Sequence, residues 1–167
     1  MGFSNKELLH GAVIVDLILS GEAISVRCAK DRHSDAYEVR GRDRSLLLVV
    51  KYSTKKKSPW QFSFGTQQVA ELRELIGLYP RRPIMVAFVC HIDGVCAVRL
   101  EELASIGLPL EGLVGASVSV RRPRGGSYWV SGPGREKMDR AIPQNRLLSI
   151  FGEGVDEDRT AGRGPRG

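Results

Sequence analysis

The sequence has almost nothing with which to build a metal centre or a disulfide framework. It holds three cysteines, Cys28, Cys90 and Cys96, and three histidines, His10, His33 and His91. An odd thiol count without zinc-site spacing points to reduced cysteines in a cytosolic setting. Cys90 and Cys96 flank an Asp-Gly turn in apolar runs, where packing is the first expectation and a cross-strand pair the second. The histidines are scattered, and no His/Cys cluster has ligand spacing, so no resident metal is expected. Long apolar runs are also missing. Residues 8–19, "LLHGAVIVDLIL", are too short to span a bilayer and contain Asp16. They lack a small-residue cleavage site, so no membrane role or leader follows from them. A Gly-rich phosphate loop ending in Lys-Ser/Thr is absent, and "GPGRE" reads only as a turn.

What the chain does have is positive charge and alternating apolar pattern. Its 167 residues carry a formal +6 with pI about 9.5. Four acids against three arginines leave residues 153–167 at −1, so residues 1–152 hold +7. A basic body favours an acidic partner, with nucleic acid foremost and an anionic protein as the alternative. Solubility alone is the plainer explanation. The length suits one domain over 1–150, and the Gly-, Arg- and acid-rich 151–167 reads as a disordered tail.

Local pattern predicts the elements. Ser4 and Glu7 form a capping box, with Phe3 and Leu8 placed as a hydrophobic staple, and Ser20-Gly21 ends the helix. This helix is apolar nearly all round, which predicts packing on more than one side. Strands follow at 23–29, 36–41, 45–53 and 60–64. The run "SLLLVVKYS" is continuous enough for a central strand, and "WQFSF" alternates cleanly, with Trp60, Phe62 and Phe64 turned to the core. Thr66 is read as the cap of a second helix that Pro80 ends. Residues 83–100 read as a hairpin about Asp93-Gly94, and 116–131 as a further hairpin about "RRPRGG". The expected class is α/β (or α+β): a mixed sheet, two main helices and a basic β-hairpin extension.

Two resemblances attach to these residues. The stretch "KYSTKKKSPWQFSF", Lys51 to Phe64, is similar to a bacterial family sharing KYSxKxxSPWxFxF, which brings no activity with it. The order helix–β–β–β–helix–β resembles the core of restriction-endonuclease-like, or PD-(D/E)xK, nucleases. That resemblance implies two acids binding a divalent metal, with a lysine two residues beyond the second acid. Lys51 falls at the lysine position, and Asp35 or Glu38 at the first acid, with Asp16 or Glu7 as helix contributors. Val49 stands where the second acid belongs. If the chain is a nuclease, Asp35, Glu38 and Lys51 are its catalytic candidates and Mg its cofactor. The missing acid favours a binding protein of nuclease-like architecture instead.

The binding candidates are the basic turns. Lys55, Lys56 and Lys57 cannot all face inward, so their loop is solvated. Arg121, Arg122 and Arg124 crowd the later turn, and Trp129 shares a strand face with Ser127 and Ser131. Seven cations against two acids give 121–146 a net +5. Tryptophan beside guanidinium suits nucleic acid, by stacking and phosphate contact. A tryptophan closing the edge of a small core, or a module docking on an acidic protein, are the competing explanations.

Overall fold

A computed structural model describes residues 2–21, 23–31, 34–134 and 136–149. The predicted tail, 151–167, lies outside the described residues, as do His33 and Arg135. The elements are α1 (Asn5–Leu19), β1 (Ala23–Cys28), β2 (Ala36–Gly41), β3 (Ser45–Ser53), β4 (Trp60–Ser63), α2 (Thr66–Leu78), β5 (Ile84–Cys90), β6 (Val95–Arg99), α3 (Leu100–Ala104), β7 (Ser117–Arg121) and β8 (Trp129–Ser131). Five strands form a mixed sheet in the order β1-β2-β3-β5-β6, and β4-β7-β8 form a second, antiparallel sheet. Only the β3–β5 pair of the first sheet is parallel. The chain is therefore mixed α/β. No helix among the described residues is long and apolar enough to cross a membrane.

The alternation of β3 divides the interior into two cores. Leu46, Leu48 and Val50 face Val13 and Leu17 of α1. Leu47 and Val49 face Val69, Leu72 and Leu75 of α2, together with the apolar face of the second sheet. All five β3 residues are buried, which is why this run is apolar at successive positions and not at every second one. Phe88 of β5 joins the two sheets. Its ring lies 4.7 Å from Phe62 and 6.5 Å from Phe64. Trp60 is buried as well, edge-on to Tyr128 at 6.4 Å, and its indole N–H donates to the Lys55 carbonyl at 2.8 Å.

Two expectations need correction. The α1 capping box forms as read, but the helix packs on one side only. His10, Val13 and Leu17 are buried, whereas Leu8, Val15, Ile18 and Leu19 are exposed. A single helix on a sheet face has one contact side, and no described element lies over the other. Thr66 is not the cap of α2. Gly65 holds that place, and the Gln68 Oε1 accepts its N–H at 2.9 Å.

The β5–β6 hairpin turns where predicted. Gly94 has φ +145°, a conformation L side chains rarely adopt, and a Cβ there would stand 2.7 Å from the Tyr128 hydroxyl. Cys90 and Cys96 are buried and free, so packing is their observed arrangement, and burial pushes both thiols well up. Phe88→Ala would open a void between the two sheets. Urea denaturation should show a loss of about 3–5 kcal/mol; a loss under about 1 kcal/mol would mean the sheets do not depend on this contact.

Candidate functional site

The end of β3 carries the first polar group after its apolar run. Lys51 is half-buried in a cavity lined by Asp35, Val49, Phe64, Gln68 and Glu71. The volume is about 20 Å³, room for a single water. Lys51 Nζ donates to Gln68 Oε1 at 2.9 Å and lies 4.9 Å from the Phe64 ring centroid. The Gln68 amide N–H in turn donates to Asp35 Oδ2 at 3.4 Å. From the α1 side, Lys6 Nζ reaches Asp35 Oδ1 at 2.8 Å. Burial pushes the Lys51 pKa down, and the Asp35 charge opposes that shift. His10, one turn beyond Lys6, bonds the Tyr37 hydroxyl at 2.8 Å. Burial lowers its pKa to about 4, so it adds no charge near pH 7.

Asp35 and Lys51 thus line the same cavity. Glu38 stands elsewhere, four residues back along the sheet from Lys51 in register, opposite Leu47. Its carboxylate is 1% exposed and takes Arg27, Arg40 and Arg82. The helix candidates stand apart too: Glu7 closes the capping box, and Asp16 is exposed near Gly94 and Val95. The sequence reading missed Lys6, Gln68 and Glu71. Gln68 and Glu71 sit on α2 at a spacing that brings both to the β3 end, a contact only the tertiary packing reveals.

A divalent cation would need hard anionic oxygens arranged around an open position. Two carboxylates, Asp35 and Glu71, do line the cavity. Asp35 is already paired with the Lys6 ammonium, and Glu71 accepts the Ser34 hydroxyl. Val49 supplies no ligand, and Lys51 adds positive charge. Among the described residues no three His, Cys, Asp or Glu side chains gather as a metal site. The donor set does not fit the metal that the resemblance implies.

The second sheet presents a different surface. Its apolar face is core, and its other face is an open trough of about 800 Å³ lined by Gln61, Ser119, Arg121, Trp129, Ser131 and Lys137. Register explains the row. Gln61 lies opposite Ser119, Ser119 opposite Ser131, and Arg121 opposite Trp129. Gln61 bonds Ser119 at 3.2 Å and accepts from Ser117 at 2.9 Å, which holds the floor in place. Trp129 is 38% exposed beside Arg121, on the polar face where strand alternation puts it.

The other basic candidates divide. Lys56, Lys57 and Arg124 are exposed. Lys55 is exposed too, but its ammonium donates to the Pro59 carbonyl at 2.8 Å. Arg122 is a staple. It donates to Asp93 at 2.9 Å and to the Gly126 carbonyl at 2.7 Å, while Asp93 also accepts from Tyr128. Its side chain is 18% exposed, so it locks the hairpin onto the β5–β6 turn and is not presented to a ligand.

No family model and no curated protein matches the chain. Among solved structures it is similar to the Holliday junction resolvase Hjc of Archaeoglobus fulgidus, with a TM-score of 0.50 and 10% identity. The match covers 87% of this chain and 97% of that one. At this identity the likeness is one of fold alone.

Two consequences are measurable. Lys51→Met removes a half-buried ammonium while keeping the volume of the stem. Stability should hold or rise, by no more than about 1 kcal/mol; a large loss in thermal denaturation would show that the Gln68 contact outweighs desolvation. For Glu38, the Arg82 hydrogen bond and then that of Arg27 lower the pKa from 4.5 to about 2 against the opposing effect of burial. Its contribution is present above pH 4.5 and is lost as pH falls from there toward 2. Glu38→Gln should be less stable by about 2–4 kcal/mol at pH 7. The gap to wild type should shrink in acid, and a pH-independent gap would disprove the linkage.

Proposed function

We propose that the chain is a nucleic-acid-binding protein on a nuclease-like fold, one that holds its ligand without hydrolysing it. The observation that carries this reading is Trp129, an exposed aromatic beside Arg121 on an otherwise polar sheet face. An exposed indole there can stack on a base, and the guanidinium and Lys137 supply phosphate contacts. Serine and glutamine groups line the floor between them. Lys56, Lys57 and Arg124 add charge from the neighbouring turns, and Lys55 shapes the loop that bears two of them. Arg122 contributes by holding the hairpin.

The cavity beside Lys51 supports binding over cutting. Asp35 is paired with the Lys6 ammonium, Glu71 accepts the Ser34 hydroxyl, and Lys51 is bound to Gln68. The reading therefore contains no metal-dependent step. One observation favours the second reading, a divergent Mg-dependent nuclease. Glu71 is a second carboxylate in the same cavity as Asp35 and Lys51. The fold neighbour is a Holliday junction resolvase, so the assay includes a four-way junction alongside duplex and single strands.

Labelled DNA and RNA should bind at low salt, and log K should fall linearly with log salt. Trp129→Ala should weaken binding of single strands about 5- to 100-fold, in line with about 1–3 kcal/mol per stacked base. Arg121→Ala should reduce the salt slope by about one. Absence of binding to every probe at low salt ends the reading. Cleavage that requires magnesium and vanishes in Lys51→Ala replaces it with the nuclease. A pull-down that survives nuclease treatment would assign the trough to an acidic protein instead.

A further inference from the structure

Three arginines that belong to neither the cavity nor the trough gather around Glu38. Three guanidiniums converge on this one buried carboxylate. Arg27 donates through Nε to Oε2 at 2.7 Å, with Nη2 also at 2.7 Å from that oxygen. Arg40 donates through Nε and Nη2 to Oε1 at 3.3 Å, and Arg82 reaches the same oxygen. The strands set this up. Arg27 lies opposite Glu38 across β1–β2, and Arg40 follows two residues along the same face. Arg82 comes in from the loop before β5 and stacks on Tyr79, 5.1 Å from the ring centroid.

One carboxylate cannot neutralise three guanidiniums, so a fixed excess of +2 remains in one small volume. Glu38 stays ionised through the physiological range, which keeps the three cations gathered. Arg27 and Arg40 are 62% and 52% exposed, so their remaining N–H groups open to solvent. Each guanidinium has five donors in a planar fork, and Glu38 engages only part of them. Pre-oriented forks of this kind fit the oxygens of a phosphoryl group.

We propose that Arg27, Arg40 and Arg82, held by Glu38, form a phosphate-oxyanion site that contacts the nucleic-acid backbone apart from the Trp129 trough. Glu38 is the positioning residue and touches no ligand. The site itself rests on the cluster geometry. Only the identity of the anion as a backbone phosphate rests on the nucleic-acid reading above.

The test uses the full chain, with inorganic phosphate and a labelled duplex as separate probes. Arg27 and Arg40 are more than half exposed, so the Arg27→Gln/Arg40→Gln double variant should fold, checked by its melting curve. In wild type, inorganic phosphate should shift the arginine Nε resonances of Arg27 and Arg40. The double variant should lower the salt slope for duplex binding by about two. Arg27→Lys/Arg40→Lys should keep the slope but lose affinity for inorganic phosphate, because charge remains and the fork does not. If phosphate shifts the resonances while no nucleic acid binds, the oxyanion site stands and the nucleic-acid reading falls. If neither the resonances nor the slope respond, the site is overturned, even where the trough binds nucleic acid normally.

Discussion

Strand β3 must be apolar on both faces, and the remaining architecture follows from that requirement. It pairs with β2 on one side and with β5 on the other, the latter in parallel. A parallel neighbour cannot be reached by a tight turn, so the chain crosses over through β4 and α2. The crossover places α2 and the second sheet on the face of Leu47 and Val49. The opposite face falls to α1. Both cores end at the same point on the strand, where Lys51 emerges between α2 and the residues just before β2. The cavity beside it is therefore a product of sheet topology, independent of what its side chains now do.

Those side chains satisfy one another. Lys6 neutralises Asp35, Gln68 bridges Asp35 to Lys51, and Ser34 binds Glu71. A site that stabilises a developing charge keeps donors or acceptors unspent until substrate arrives. Here they are spent on the resting structure. Glu38 illustrates the opposite balance. Its three arginines exceed what it can neutralise, so the surplus is directed outward. The chain thus closes its charge at the cavity and opens it at the sheet edge.

Much of this was legible where the pattern is local. The strands at 36–41 and 45–53 fall as read, because a β2 alternation and a doubly buried run leave distinct marks. Trp129 was placed on its polar face by the same period-two argument. The errors arise where tertiary contact decides. The apolar circumference of α1 predicted two packing sides, and the sequence carries no sign that only one is covered. Arg122 looked like Arg121 and Arg124 in a basic turn, yet Asp93, 29 residues earlier, captures it. Glu38 was a candidate acid from the resemblance, yet Arg82, from 44 residues away, draws it into a separate cluster. Net charge located the basic turns but could not tell a presented cation from a stapled one.

Val49 stands where the nuclease resemblance would place a second acid. It lies in register between Ala36 of β2 and Val86 of β5, and it is 6% exposed. A carboxylate at that point would have apolar residues in register on both strands and would face the cavity of Asp35, Gln68 and Glu71, where burial and two like charges oppose its ionised form. Its nearest compensating cation, Lys51, is already bound to Gln68, and Lys6 is committed to Asp35. Placing an acid there would thus require reordering the cation network as well as replacing one side chain. Val49 thus joins the apolar core to the polar cavity at the end of β3. Phosphate contact makes no such demand on the interior, since guanidinium groups on a surface suffice for it.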